Sequence, residues 1–472
     1  MKGDITRNTF DPLHRFSRVL MQQGRVQLDA DWNEQADISL HYIRSLAADL
    51  IGPHGGVGSA FLLQESRNAA GASTPFDFVI GAGNYYVGGV LCESTGQHYA
   101  TQSGYKVDPS IPEVVAGDFL VYLDVWERHV SYLESEGMRE TALGGPDTAS
   151  RTRVEWQAKM IPANNIGTGA VQFKESYDAF LKQMMASDVY HPNRGMLMAD
   201  VPAVSAATDA CVIPADNRYR GIENQLYRVE VHRGGAVWDG SEGGKASAAT
   251  FKWSRENGSV VFAVLGVQVT VTPTSKTTMV TLDTLGRDRK LGLSQGDMVE
   301  LVDDAYVMRN DADPLMKVLD IDEESMTVTL EGEALNGVGS ASHLHPLLRR
   351  WDHRLDEAGT KAAAEGALLA QADVAGNGPW LKLEDGIQVR FRANDKYRTG
   401  DYWLIPARSG TGSIEWPHEE DPATRLMAPA WVPARGIVHR YAPLGVVRFG
   451  ADGAMVAGSL VDLRRTLIKL WA

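Results

Sequence analysis

Met298-Val299-Glu300-Leu301-Val302, answered by Met316-Lys317-Val318-Leu319 and again by Met326-Thr327-Val328-Thr329-Leu330, is the passage on which the fold turns. Each run is short, rich in β-branched and apolar residues, and closed off by turn-forming residues, which is how strands read. Three such runs within residues 293–333 predict a small barrel-like unit of the SH3 or OB kind. The same signature extends outward in both directions. Phe76-Asp77-Phe78-Val79-Ile80, Tyr85-Tyr86-Val87 and Phe119 to Trp126 precede it, as do Leu226 to Val231, Ser259–Val264 and Gln268–Val271. Ile387–Phe391, Tyr402–Ile405 and Leu444–Phe449 follow it. The expected fold class is therefore mainly β and multidomain, with sandwich-like or barrel-like units.

A local form recurs at Ala116-Gly117-Asp118, Gln295-Gly296-Asp297 and Thr399-Gly400-Asp401, each time before a strand-like run. Glycine supplies a positive φ and aspartate accepts from a nearby backbone N–H, so this is a turn into a strand, not a phosphate loop.

Helical signals are few. The convincing one starts near Asp31, where Asp31-Trp32-Asn33-Glu34 has the form of a capping box, and stops at Gly52-Pro53. Ala36, Leu40, Ile43, Ala47 and Leu50 recur along it at steps of four and three, drawing an apolar seam. Packing against the chain's own sheet is the first expectation for that seam and a subunit contact the second. A helical insertion is expected near Lys174–Ala186, a Pro/Ala-rich loop runs to about residue 215, and alanine-rich residues 355–374 predict a helix or a flexible insertion. The resulting division is 1–55, an extended segment and docking helix; 56–290, β-rich with the helical insertion; 291–335, the small barrel; and 336–472, a β domain ending in an amphipathic tail of Leu460, Leu463, Leu467, Leu470 and Trp471.

Composition excludes several classes. With 472 residues, 44% hydrophobic and 22% charged, most of the chain should fold into ordinary globular domains. A formal net charge of −14 opposes binding to nucleic acid phosphates or anionic membranes. Cys92 and Cys211 are far apart, so buried free thiols are expected rather than a disulfide framework. The opening lacks the apolar core of a secretory signal, and no apolar run reaches the ~20 residues that span a bilayer. These features lead to the expectation of a soluble chain made in the cytoplasm, without stable membrane insertion.

No GxSxG, HExxH, phosphate-loop or dinucleotide fingerprint is present. His343, His345 and His353 could offer imidazoles to a metal, and Asp311, Asp313, Asp320, Asp322, Glu323 and Glu324 could offer oxygens. Neither set has the spacing of a metal site, and loop histidines and a solvated turn are the simpler readings. No catalytic, cofactor or metal residue is assigned. A glycosidase needs only two opposed carboxylates, so polysaccharide binding or cleavage stays as the alternative. Most distinctive are two arginine–aromatic segments, Arg218 to Arg228 and Thr250 to Ser259. Alternating guanidinium and ring suits a rigid polar core or a subunit interface. The candidate assembly residues are Trp32, Leu40, Ile43 and Leu50 on the helix, with Arg220, Tyr227, Arg228, Trp253 and Arg255 in these segments.

The opening Met1-Lys2-Gly3-Asp4, with Phe10-Asp11-Pro12 and Val19 to Gln35, resembles an uncharacterised bacterial family associated with phage-tail-like gene clusters. Glu140 to Thr148, both arginine–aromatic segments, Tyr397 to Arg408 and Glu415-Trp416-Pro417 extend that resemblance over nearly the whole chain. The resemblance implies a structural, non-enzymatic component of a contractile injection particle, at or near the baseplate, as a cage, adaptor or fibre-attachment part. It implies docking through residues 1–50 onto other baseplate or tail subunits, assembly in the cytoplasm with release in the particle, and a homo-oligomer, with a trimer favoured. A luminal plug or cargo is compatible with the same resemblance.

Overall fold

The computed structural model describes residues 1–102, 115–163, 172–192, 194–201, 218–273, 275–288, 290–310, 312–355, 361–371, 379–421 and 425–467. The chain is mainly β, with one long helix. It divides into two compact units that do not follow one another in sequence. The first takes Met1–Arg7, Ser131–Ser150 and Asn193–Gly436, and the second takes Asn8–Val130, Arg151–Pro192 and Ile437–Ala472. The sequential division expected from composition is thereby replaced. Strand pairing between distant segments decides the units, and turn signals along the chain do not reveal it.

The first unit contains a closed barrel of antiparallel strands, in the order Val261–Val271, Lys276–Leu282, Thr327–Glu331, Met316–Asp322, Met298–Val302 and Leu347–Trp351. It is wider than the expected 291–335 because its first, second and last strands lie outside that range. The break read between Val264 and Gln268 is not a strand end: the register shifts between Val264 and Gly266. Such a bulge bends a strand, here one that pairs with Leu347–Trp351 at its start and with Lys276–Leu282 from Val264 onward. Phe262, Val280, Val299, Leu301, Val318, Val328, Leu330 and Leu348 fill the interior.

Beside the barrel, the same unit holds two sheets that share one core. One has the order Leu368–Leu369, Thr250–Ser254, Gln225–Val231, Tyr402–Arg408 and Ser413–Ile414; the other has Leu381–Lys382, Gln388–Phe391, Met196–Asp200 and Val432–Pro433. Tyr227, Phe251, Trp253, Phe391 and Trp403 meet between them. The alanine-rich stretch is not helical where described: Leu368–Leu369 is a strand, and Ala363, Ala367 and Ala370 are buried around it.

The second unit is built on a long antiparallel sheet, Val461–Asp462, Arg440–Phe449, Gly117–Val130 and Arg151–Pro162. A second sheet of Thr466–Leu467, His54–Val57, Gly83–Val87 and Val90–Ser94, and a third of Leu63–Arg67, Ser73–Ile80 and Gln97–His98, share a core with it. The predicted insertion appears as two helices, Gln172–Glu175 and Tyr177–Ala186, with Phe180 and Met184 packed against Leu120, Tyr122 and Leu463. The described part of the C-terminal tail forms two short strands; Leu470 and Trp471 lie outside the described residues.

Each predicted Gly-Asp turn does carry a positive-φ glycine, at Gly117, Gly296 and Gly400. Only Asp297 accepts from a nearby backbone N–H, that of Ser294 at 2.8 Å. Asp118 and Asp401 instead accept from the guanidinium groups of Arg448 and Arg194.

Candidate functional site

The helix α1 spans Asp29–Ile51 and carries, in 23 residues, only Ala30 and Ile38 buried. Its cap is Leu28, whose side chain bonds nothing, so the capping box expected at Asp31 does not form. Asp29 and Asp31 sit in the first turn, where negative charge favours the helix dipole. The inward face is held by a two-bonded pair from Arg44 to Glu127, at 2.9 and 2.7 Å. Gly89 makes the approach possible: at φ +77° it lies against the helix backbone, where a Cβ would run into the carbonyl oxygen of Arg44.

The seam on α1 does not pack against the chain's own sheet. Leu40, Ile43 and Leu50 are exposed, Leu50 at 78%, and Trp32 extends the stripe at 69%. Ahead of α1 runs an arm, residues 8–28. It is fastened to the helix at its root by Thr9 Oγ1 to Glu34 at 2.6 Å and at its middle by the Val19 amide to Gln35 at 2.8 Å. Between and beyond those ties its apolar side chains stand open: Leu13 and Val26 are each 83% exposed, and Phe16, Leu20 and Met21 are exposed too. With the α1 stripe these side chains present on the order of 1,000 Å² of apolar surface, comparable to the roughly 800 Å² each partner contributes to a standard interface.

The arginine–aromatic segments lie elsewhere and do a different job. In a strand, successive side chains point to opposite faces. Tyr227, Val229 and Val231 therefore enter the sandwich core, as do Phe251 and Trp253, while Arg228, Glu230 and Lys252 form a second buried layer. Glu230 binds Arg228 at 2.5 Å and Lys2 at 2.6 Å, with Lys252 at 3.6 Å. Lys252 also binds Glu300 at 2.7 Å, and that carboxylate accepts from Tyr306 Oη and Trp351 Nε1, both at 2.9 Å. Burial alone would push both carboxyls up, but the cations outweigh it: Lys2, Arg228 and Lys252 hold Glu230 at about 2, and Lys252 and Lys2 hold Glu300 well below the usual range. The Arg228 guanidinium lies 3.6 Å from the Tyr402 ring centroid and donates to the Met1 carbonyl at 3.0 Å. Gly3 and Asn257 exchange hydrogen bonds at 3.1 and 3.0 Å.

Tyr227, Arg228 and Trp253 are thus interior residues and are withdrawn as assembly contacts. Arg255 is half-buried in the same unit, donating twice to Glu384, at 2.7 and 2.6 Å. Arg220 is exposed. Residues 1–3 also leave the docking segment, because their bonds are to the first unit's interior. Sequence reading did not find Lys2, Glu230, Lys252 or Glu300. The available signal was a charge in the middle of an apolar strand, as in Phe251-Lys252-Trp253 and Val299-Glu300-Leu301, since such charges are buried only when paired.

The remaining candidates resolve into structure. His345 bonds Asp304 at 2.8 Å, and His353 is buried against the Gly366 carbonyl at 2.9 Å. Asp322 accepts from the amides of Glu324 and Ser325, which makes it a turn residue; Asp311 lies outside the described residues. Among the described residues no group of three or more His, Cys, Asp or Glu is arranged to hold a metal. Cys92 is a buried thiol that burial pushes up to about 12, and Cys211 lies outside the described residues. Glu230 and Glu300 are too deeply buried and too fully paired to act on a sugar.

The sequence matches the model of a family of unknown function, DUF6519, over residues 1–191 and 162–456. The chain belongs to the DUF6519 family. No curated protein and no solved structure matches it. The DUF6519 match includes the arm, α1 and every member of the buried ion-pair layer.

Proposed function

We propose that the protein is a structural, non-catalytic component of a phage-tail-like contractile injection particle, fastened at or near the baseplate through the arm and α1. The observation that supports this reading most is the apolar surface along residues 8–51. Well-ordered monomers seldom leave a large apolar patch open unless another surface covers it. The arm and helix supply attachment, and the two β units supply bulk and rigidity.

Quantitative mass spectrometry of sheathed particles sedimented from the native cells tests the proposal. The chain should be present at a fixed small ratio to the sheath protein and should resist a high-salt wash. Its absence from the particles would overturn the reading and move attention to polysaccharide binding. Within the particle, Leu40→Asp with Ile43→Asp should abolish incorporation while the purified chain keeps its wild-type melting temperature, because both residues are exposed. Normal incorporation of that variant would remove the docking role from α1.

A further inference from the structure

We infer that the first partner of this surface is a second copy of the same chain, with the arm of one copy laid along α1 of another. The inference rests on the reading that residues 8–51 are a docking face and specifies what docks there.

The arm and the helix are complementary in charge. From Pro12 to Leu28 the arm carries Arg15, Arg18 and Arg25 and no acidic residue, whereas α1 carries Asp29, Asp31, Glu34, Asp37 and Asp49 against Arg44 alone. Inside one copy this complementarity is largely unused. Arg44 is taken by Glu127, Glu34 by Thr9, and Asp37 by Asn8. Among the described residues, Arg15, Arg18 and Arg25 have no ion pair, and Asp29, Asp31 and Asp49 have none either. All three arginines are exposed, as are Asp29 and Asp49.

The arm's backbone is open in the same way. Residues 16–22 and 25–28 belong to no helix or strand and flank a turn at Gln23-Gly24, with Gly24 at φ +71°. Between residues 16 and 28 only the amides of Val19 and Arg25 are bonded within the described residues. An irregular segment with exposed apolar side chains, free amides and unpaired cations is suited to lie on an apolar, acidic surface. Its own helix is already held to the arm by single bonds at Thr9 and Val19. The equivalent stripe on another copy offers both the apolar contact and the missing carboxylates. A chain of formal charge −14 gains further from such a local pairing, because its copies otherwise repel one another.

Charge reversal in purified full-length chains, read by sedimentation velocity across concentrations, tests this. Wild type should self-associate, and more weakly as salt rises. Arg15→Glu/Arg18→Glu/Arg25→Glu and Asp29→Lys/Asp31→Lys/Asp49→Lys should each associate at least tenfold more weakly. An equimolar mixture of the two should associate again, since the acidic arm of one then meets the basic helix of the other, and the converse pair matches as well. Recovery on mixing also shows that both chains are folded. If the helix variant melts early, Asp49→Lys alone serves in the mixture, because lysine in a last helical turn suits the dipole. A wild type that stays monomeric at all concentrations, or variants that associate as wild type does, would overturn the inference. So would a mixture of folded variants that stays monomeric. In those cases loss of particle incorporation on Leu40→Asp/Ile43→Asp would still uphold docking, with a different subunit as the partner.

Discussion

Lys252 shows how much a single side chain can be made to carry. It sits between Phe251 and Trp253 in a strand whose every residue is buried, and its ammonium faces Glu300 and Glu230 with the Trp351 ring 4.5 Å away. A buried ion pair adds little net stability over a well-packed apolar pair, but removing one partner leaves the other charge uncompensated. Lys252→Met should therefore cost about 3–5 kcal/mol in urea unfolding. Adding Glu300→Gln should recover part of that loss, because Tyr306 and Trp351 still have an oxygen to donate to. Equal destabilisation by the single and the double variant would show that the pair is not the source of the effect. The alternation of aromatic and charge in these segments was legible in the sequence, but the direction each face takes was not. A period of two fixes which residues share a face, while only the tertiary pairing of Lys252 with Glu300 makes the charged face an interior.

At the scale of elements, the strands that were read lie nearly where expected, because β-branched and aromatic runs between glycine turns leave few other choices; Arg151–Pro162, Met196–Asp200, Lys276–Leu282 and Leu347–Trp351 were not read. The barrel was read too small for a physical reason. Its closing strands, Val261–Val271 and Leu347–Trp351, are brought in by long-range pairing, and the bulge at Gly266 looks like a strand end from sequence alone. The helix α1 was read correctly as an apolar seam, yet periodicity does not say whether a seam turns inward or outward. What turns it outward is the other face, fixed by Arg44 to Glu127 and by the close approach of Gly89. Gly89→Ala should accordingly loosen α1: alanine is strained at that positive φ, costing about 1 kcal/mol or more, and its Cβ meets helix backbone that has no room to give. Hydrogen exchange should then rise across residues 29–51 while the barrel strands keep their protection. Unchanged exchange in α1 would mean that the helix is held by its arginine alone.

For the whole molecule, buried titratable groups set a pH window. Burial, the largest cause in each case, pulls His54 down to about 4, His232 to about 3 and His353 to about 4. A histidine whose folded value lies below its unfolded value of roughly 6.5 favours the fold fully above that pH and loses the contribution as pH falls towards the folded value. Asp401 works in the opposite sense. Burial, against Arg194, pushes it up to about 6, so the fold gains from its protonation as pH falls through that range. Burial also raises Asp37, Asp200, Glu256 and Asp297, which oppose the loss as Asp401 does, and it pulls the Met1 amino group down to about 4, which adds to it. The three histidines and that amine, shifted furthest, make the net effect a loss of stability between roughly pH 6.5 and 4. A second loss follows at lower pH. Asp124, held at about 2 by His439 and Lys159 against burial, and Glu230 at about 2, give up their contributions as pH falls from roughly 4 to 2. His232 offers the sharpest check, because both its ring nitrogens are buried without a partner among the described residues. His232→Leu removes the titrating group and leaves no polar atom unpaired, so urea midpoints at pH 7.5 and pH 5 should lie closer together than in wild type, with the gain concentrated at pH 5. A variant with the full wild-type drop between those pH values would show that His232 takes up its proton alike in the folded and unfolded chain and adds nothing to acid stability.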